Sequence, residues 1–397
     1  MTKALDFLTE LAARRRFGMK PGLKTITEIC DRLGHPEREF KAVHIAGTNG
    51  KGAVAAILDS VFVGGRYTSP HLMRLNERFF LRGSPVGDDK LERVAAKVSA
   101  VLPDDATFFE ALTAVAFELY AQERPDRVIL ETGLGGRFDA TNVCGGELSV
   151  ITKIGLDHCD WLGGTIAEIA AEKAGIIKPG VPVVVGKNSD EALDVLEKEA
   201  KAQGAPFFYA PDMVNACEIP EDFPLKGAFN RENAVTALAA LKVLGTDPVK
   251  SLANVVWPGR FQEIGRFIVD GAHNPPAAEA LASALGSEKV DLIAGFCADK
   301  DVAETLSILA PHIRRGTAVK TNNPRSLSAE EAAERMRAAG IKAKAQDGGL
   351  EAALAAVGKD VRTLVCGSLF LAGEAIVLLG AYPWGNDVRF DKSELLT

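Results

Sequence analysis

The sequence predicts an α/β protein built from two units, each with a mostly parallel sheet covered by helices. Three observations carry this. Short β-rich runs alternate with alanine-rich helical stretches almost throughout the chain, which is the signature of strand–helix–strand crossovers. A glycine-bracketed turn joins a strand to a helix in "HIAGTNGKGAVAAIL", residues 44–58. The alternation breaks at "WPGRFQ", residues 257–262, and then restarts. At 397 residues the chain exceeds one typical core, so two domains are expected, 1–255 and 256–397.

The elements follow in order. Residues 1–18 read as an amphipathic helix with acids inside it, not as a signal peptide. "KAVHIAG" (41–47) reads as a strand and 51–62 as the helix after the glycine turn. Residues 106–123 read as a helix capped by Thr107, with Phe108, Ala111, Leu112, Val115 and Leu119 on one stripe. Residues 126–136 form a strand running into a glycine turn, and 148–158 a buried strand with a polar end. A helix over 165–180 stops at glycine and proline, and "VPVVVGK" follows as a strand. The helix 230–245 leads to the boundary, with a short helix after it. Strand–helix units then resume at "RFIVDGAHN", "KVDLIAGFCADKD", "GTAVKTNNPRS" and "RTLVCGS". No repeat or low-complexity tract is evident.

Composition excludes several function classes. The net charge is −7 with both signs interleaved and no basic stripe, which argues against a nucleic-acid partner. An anionic ligand must therefore be held by local cations and helix ends. Apolar runs are too short to span a bilayer. The six cysteines, at 30, 144, 159, 217, 297 and 366, form no CxxC pair, as expected of reduced thiols in a cytoplasm.

The chemistry concentrates at strand ends. Gly47, Thr48, Asn49, Gly50, Lys51 and Gly52 lie between a strand and a helix. Such a turn aims backbone N–H groups and a helix dipole at phosphate, and Lys51 adds a point charge. The strict P-loop spacing is not met, since position 45 is Ile and Gly52 stands where a hydroxyl is usual. A metal accompanying the phosphates would take its ligands from elsewhere. Glu131 closes "VILE", and Asp157 and His158 close "IGLDH"; in open parallel sheets ligands collect beyond such carboxyl ends. Each residue alone has a simpler reading. His158 could be a hydrogen-bonded partner, Glu131 a cap, Ser69 a turn residue before Pro70, Lys173 a solvated helix face and Arg260 a linker cation. "DGAHNP" (270–275) sets an acid, an imidazole and an amide at a strand end, or is a polar turn.

Taken together, the segments resemble the Mur-ligase superfamily, and within it the folylpolyglutamate synthase/dihydrofolate synthase family. The supporting strings are "HIAGTNGKG", "YTSPHLMRLNERF", "TFFEALTAVAF", "LETGLGGRFDATN", "GLDHCDWLG", "EKAGIIKPG", "WPGRFQ", "DGAHNP", "ADKD" and "GSLFLAGE". They occur in family order across nearly the whole chain.

The resemblance implies a P-loop ATPase-like parallel-sheet domain followed by a smaller Rossmann-like α/β domain. It implies ATP on Gly47–Gly52, with Asn233, Arg260 and Asp270 also contacting the nucleotide. Two Mg²⁺ ions would be held by Ser69, Glu131, His158 and a carbamylated Lys173. His273 matches a residue near the phosphates and joins Lys51 and Lys173 as expected catalytic groups. Thr107, Phe108, Phe109, Glu110, Phe138, Asp139 and Ala140 match segments that contact dihydropteroate. The implied reaction joins L-glutamate to dihydropteroate or a reduced folate through an acyl phosphate, in a cytoplasmic monomer with a hinge at "WPGR".

Three departures stand out. Ala53 replaces the usual Ser or Thr after "GKG", only "DSVFVGGR" (59–66) separates the loop helix from "YTSPHL", and Phe229 and Asn230 stand where the family often has His and Gln. The alternatives are a monofunctional folylpolyglutamate synthase, a non-catalytic nucleotide-binding protein on this scaffold, and a cell-wall ligase acting on a UDP-muropeptide. Against the last, only about 45 residues precede the glycine loop, too few for a nucleotide-sugar domain.

Overall fold

A computed structural model describes residues 22–246 and 252–385. The expected helix at 1–18 lies outside the described residues.

The first body is an eight-stranded sheet. Its strands are β1 (Ala42–Ala46), β2 (Gly65–Tyr67), β3 (Phe79–Leu81), β4 (Ser84–Pro85), β5 (Val128–Glu131), β6 (Gly146–Ile151), β7 (Val183–Val185) and β8 (Phe207–Tyr209). They lie in the order β4-β3-β2-β5-β1-β6-β7-β8. Strands β2, β5, β1, β6, β7 and β8 run parallel, while β3 and β4 add an antiparallel edge. Valine, isoleucine and leucine dominate the central strands because both faces are covered. Helices Lys24–Leu33, Asp88–Ser99 and Phe108–Glu123 pack on one face through Ile26, Leu91 and Leu112 against Val128 and Leu130. Helices Lys51–Phe62 and Ala228–Val243 cover the other, through Val54, Ile57, Ala237 and Leu241.

The central helix departs from the expected stripe. Twelve of its sixteen residues are buried, including Thr113, Glu118 and Tyr120. It is enclosed because the helix Asp88–Ser99 lies over the side that a surface helix would show to water. Its cap is Thr107, as expected: Thr107 Oγ1 accepts from the Glu110 N–H at 3.2 Å, and Glu110 Oε2 accepts from the Thr107 N–H at 2.8 Å.

The short 59–66 segment still closes the crossover from the loop helix to β2. Val63 adopts a left-handed conformation and donates its N–H to Asp59 O at 2.8 Å, ending the helix. Gly65 then donates to Arg127 O at 2.9 Å, starting β2 beside β5. The strand expected over 148–158 is shorter than read. It ends at Ile151, after which Lys153 O accepts from the N–H groups of Thr48 and Asn49 at 2.8 and 3.2 Å. Residues beyond Ile151 therefore fold over the glycine turn instead of extending the sheet.

The second body is a six-stranded sheet in the order β13-β12-β11-β14-β10-β9. Its strands are β9 (Gln262–Ile264), β10 (Phe267–Val269), β11 (Val290–Ala294), β12 (Ile313–Ala318), β13 (Ala343–Ala345) and β14 (Thr363–Cys366). All are parallel except β9, which pairs antiparallel with β10. Helices Pro275–Leu285, Val302–Leu309 and Ala329–Ala338 pack on one face, and Gly349–Ala355 and Leu369–Leu378 on the other. Two residues of the first body, Leu72 and Met73, are buried in this second core beside Val269, Leu371 and Ala375.

Candidate functional site

Because β1, β2, β5 and β6 are parallel, their carboxyl ends share one edge of the first sheet. The register sets Ile45 opposite Glu131, Tyr67 opposite Leu130, and Ala46 opposite Ile151. The glycine turn, Ser69 and Glu131 therefore emerge side by side. The helix Lys51–Phe62 begins in the turn, and its first bond runs from Val54 N–H to Gly50 O at 2.9 Å. The N–H groups of residues 51–53 project from the helix start, where an anion is favoured.

Two lysines meet this turn. Lys51 Nζ donates to Gly47 O at 3.0 Å and lies 3.4 Å from Thr48 O. Lys173 Nζ donates to the same Gly47 O at 2.9 Å from the far side. Lys173 is buried, so the solvated-face reading does not hold. It sits in the last turn of the helix Ile166–Ala174, whose end is fixed by Arg137 N–H donating to Glu172 O at 2.8 Å. Burial, reinforced by the neighbouring Lys51 charge, pulls the Lys173 ammonium down to about 7.

Glu131 is buried at the end of β5, and its Oε2 accepts from the Ser69 N–H at 3.1 Å. Burial raises its carboxyl above the ordinary range, while Lys51, the Ser69 N–H, Arg260 and Arg66 oppose the rise. The linker cation Arg260 thus lies close enough to act on Glu131. His158 stands on the loop after β6 in a left-handed conformation, half exposed, with Asp157 Oδ1 accepting its backbone N–H at 2.9 Å. Its imidazole is held below the usual range by burial and by the cations Lys300, Lys51 and Lys173. A hydroxyl and a carboxylate so placed offer hard oxygen donors of the kind that suit Mg²⁺, the His158 imidazole is a softer one, and the Ser69 N–H occupies only one oxygen of Glu131. Among the described residues no three His, Cys, Asp or Glu side chains gather as a metal cluster.

The second body faces this edge with Asp270, His273 and Asn274, which follow β10. Asp270 accepts from the Phe261 N–H (Oδ2) and the Ala272 N–H (Oδ1), both at 2.7 Å, and burial raises its carboxyl against the pull of Arg260. His273 Nδ1 lies 2.8 Å from Gly271 O, and burial draws its imidazole down to about 4. Asn274 Nδ2 donates to Asp157 Oδ2 at 3.3 Å, a polar bridge between the two bodies. Between them runs a cleft of about 880 Å³ lined by Gly50, His158, Asn233, Asn274 and Lys300, a size suited to a nucleotide. Trp257, in the linker, lies over the loop helix. A Cβ on Gly52 would fall 2.1 Å from its Cζ2, so only glycine admits this contact.

The remaining expected residues are less uniform. Phe109 packs toward Tyr67 at 6.1 Å, and Phe138 is 51% exposed beside the glycine-rich turn after β5. Asp139 is buried and accepts from the N–H groups of Gly133, Leu134 and Thr141, which shapes that turn. Thr107 and Glu110 spend their side chains on the helix cap. Ala140 is buried among the first core. The Asn274 amide was legible within "DGAHNP", but Lys300 and Trp257 were not singled out, although Lys300 stands in "ADKD" after β11.

The chain is similar to known proteins over most of its length. The model for "Mur ligase, glutamate ligase domain" matches residues 259–369. A dihydrofolate synthase/folylpolyglutamate synthase of Bacillus subtilis is 38% identical over 324 residues, spanning 70% of this chain and 75% of the relative. The solved structure of Escherichia coli FolC in complex with DHPP and ADP superposes with a TM-score of 0.83 at 30% identity, covering 96% of this chain and 98% of that one. The bifunctional folylpolyglutamate synthase/dihydrofolate synthase of Yersinia pestis, complexed with AMPPNP and Mn ion, gives 0.83 at 29% identity, covering 96% and 98%. With the Mur-ligase architecture present in both sheets and the glycine turn, linker and cleft in place, the chain belongs to the dihydrofolate synthase/folylpolyglutamate synthase family.

Proposed function

We propose that this protein is an ADP-forming amide ligase that adds L-glutamate both to dihydropteroate and to the γ-carboxylate of a reduced folate. The observation that carries this is the meeting of Lys51, Lys173, Ser69 and Glu131 at one sheet edge, beside a cleft whose other wall includes Asn274, next in sequence to His273. Gly47, Thr48, Asn49, Gly50, Lys51 and Gly52 hold the ATP phosphates, and Asn233, Arg260 and Asp270 contact the rest of the nucleotide. The division into an ATP-binding domain, 1–255, and a ligase domain, 256–397, belongs to the same proposal and is supported by the family match starting at residue 259.

The chemistry follows from the poor electrophilicity of a carboxylate. A substrate carboxylate oxygen attacks the γ-phosphorus, the bond to the β-phosphate oxygen breaks, and ADP leaves. Lys51 and the helix N-terminus stabilise charge on the transferring oxygens. Ser69, Glu131, His158 and a carbamylated Lys173 would hold two Mg²⁺ ions, which when bound supply further neutralisation of that charge. The glutamate amine then attacks the acyl carbon, and phosphate departs. The departing phosphate can take up the proton the amine loses, while His273, its Nδ1 2.8 Å from Gly271 O, stands as a neutral group by the phosphates. Closure of the two bodies excludes water from the acyl phosphate and aligns the amine, an effect worth ~7–11 kcal/mol. Phe109 and the exposed Phe138 offer ring faces to the pterin, with Thr107, Glu110, Asp139 and Ala140 shaping the walls, whereas Phe108, expected to join them, is buried in the first core.

Among the described residues no helix is long and apolar enough to cross a membrane; a cytoplasmic monomer is part of the proposal. The decisive experiment follows labelled glutamate incorporation and ADP release with dihydropteroate and, in parallel, with a reduced folate. Incorporation with both supports the proposal. Incorporation with the folate alone narrows it to a folylpolyglutamate synthase, and ATP binding with no incorporation refutes it.

A further inference from the structure

Glu77 gathers four donors from two parts of the molecule. It lies in the turn Leu75–Arg78 just before β3 and is buried. Its Oε2 accepts from the Leu72 N–H at 2.7 Å. Its Oε1 accepts from the Met73 and Arg74 N–H groups at 2.9 and 2.8 Å, and from the Tyr382 hydroxyl at 2.5 Å. The three amides belong to its own loop. Tyr382 comes from beyond the last helix of the second body.

The surrounding contacts make this a junction. With their amides fixed, Leu72 and Met73 insert into the second core. The helix opposite leaves room only through Gly373, where a Cβ would stand 2.6 Å from Met73 Sδ and 2.8 Å from Leu72 O. Trp384 meets Tyr382 edge-on at 5.6 Å and Phe80 of β3 at 5.1 Å. Ser69 is in the same segment, its N–H bound to Glu131.

We propose that Glu77 and Tyr382 form a clasp through which the second body positions the Ser69 segment against Glu131. They are positioning residues: neither faces the cleft, and both act through the backbone of 72–74. The physical basis is the acceptor geometry. A carboxylate satisfies all four donors, whereas an amide at residue 77 sets an N–H against an N–H and leaves a buried donor unmet. The inference rests on Ser69 serving the metal as proposed above.

The test compares the full-length protein with Tyr382→Phe, Glu77→Gln and Ser69→Ala. Three quantities are measured: amide hydrogen exchange at residues 72–74, Mn²⁺ affinity with ADP present by electron paramagnetic resonance, and KM for Mg·ATP against kcat. Tyr382→Phe removes one hydroxyl, and is expected to speed exchange at 72–74 about tenfold. It should also weaken Mn²⁺ roughly tenfold and raise KM more than it lowers kcat. Glu77→Gln should do the same more strongly. Ser69→Ala should weaken Mn²⁺ with exchange at 72–74 unchanged, and adding Tyr382→Phe to it should weaken Mn²⁺ no further. If Ser69→Ala weakens Mn²⁺ but the Tyr382 and Glu77 variants bind it normally, the clasp is wrong and the metal reading stands. If Ser69→Ala binds Mn²⁺ normally, that reading fails and the clasp's role fails with it.

Discussion

Lys51 and Lys173 donate to one acceptor, the carbonyl oxygen of Gly47, at 3.0 and 2.9 Å. Two ammonium groups on one oxygen repel each other, and the buried one yields. Lys173, drawn down to about 7 by burial first and by Lys51 second, is therefore in substantial part an amine near neutral pH. The amine is the form that reacts with carbon dioxide. The carbamate it would become carries the opposite charge and attracts Lys51 where the ammonium repels it.

A carbamate at Lys173 is directly observable. With carbon-13 bicarbonate the protein should show a carbamate resonance that is absent in Lys173→Arg. That variant keeps the cation, and should lose roughly 100-fold in glutamate incorporation. Full activity in Lys173→Arg would refute the assignment.

The contact between Gly52 and Trp257 gives a second prediction. Adding a methyl at 52 displaces the indole from the loop helix. Gly52→Ala should destabilise the fold by about 1–3 kcal/mol in urea titrations and shift Trp257 emission to the red. An unchanged midpoint and spectrum would contradict the packing described.

His44 gives stability a sign with pH. It is buried on β1, with Nε2 at 2.8 Å from Thr141 Oγ1 and no partner for Nδ1. Burial draws its imidazole from 6.5 to about 3. The folded state therefore refuses a proton that the unfolded chain accepts. The stabilisation is complete above pH ~6.5 and is lost as pH falls toward ~3, by roughly 1.4 kcal/mol per unit. Unfolding free energies of wild type and His44→Asn, measured from pH 7 to 4, should converge as pH falls. Parallel curves would remove His44 from the acid response.

Asp270 holds the linker and the second body together by accepting from Phe261 and Ala272. Asp270→Asn turns an amide toward one of those N–H groups, at a cost of about 1–3 kcal/mol. It also removes the charge facing Arg260. ADP binding by calorimetry should weaken while the ligand-free fold survives; unaltered ADP affinity would place the nucleotide elsewhere.

The order of elements was legible in the sequence because hydrophobic runs and glycine punctuation are local. The turn at 47–52, the cap at Thr107 and the linker at 257–262 all stand where their residue types put them. The lengths of 148–158 and the all-round burial of 108–123 were not legible, since each depends on a segment folding over it from elsewhere. The same holds at the site. Lys51 could be read from its neighbours, but the burial of Lys173 requires the Gly47 carbonyl, which arrives from a different strand. Thr107, Glu110 and Asp139 were read as pterin contacts, and their polar atoms are engaged with nearby backbone. Glu77 carried no signal at all, because three of its four partners are backbone amides and the fourth lies beyond the last helix.

Leu72 and Met73, seated in the other body's core, give the molecule a spine like that of a bound book. Sliding one cover along the other would drag two apolar side chains into water, at about 1.5–3 kcal/mol each. Swinging the covers leaves the spine intact and works against the fore-edge, where Asn274 touches Asp157 and Phe229 packs against the second core. A change in the angle between the covers therefore costs less apolar exposure than a slide, because it keeps Leu72 and Met73 seated.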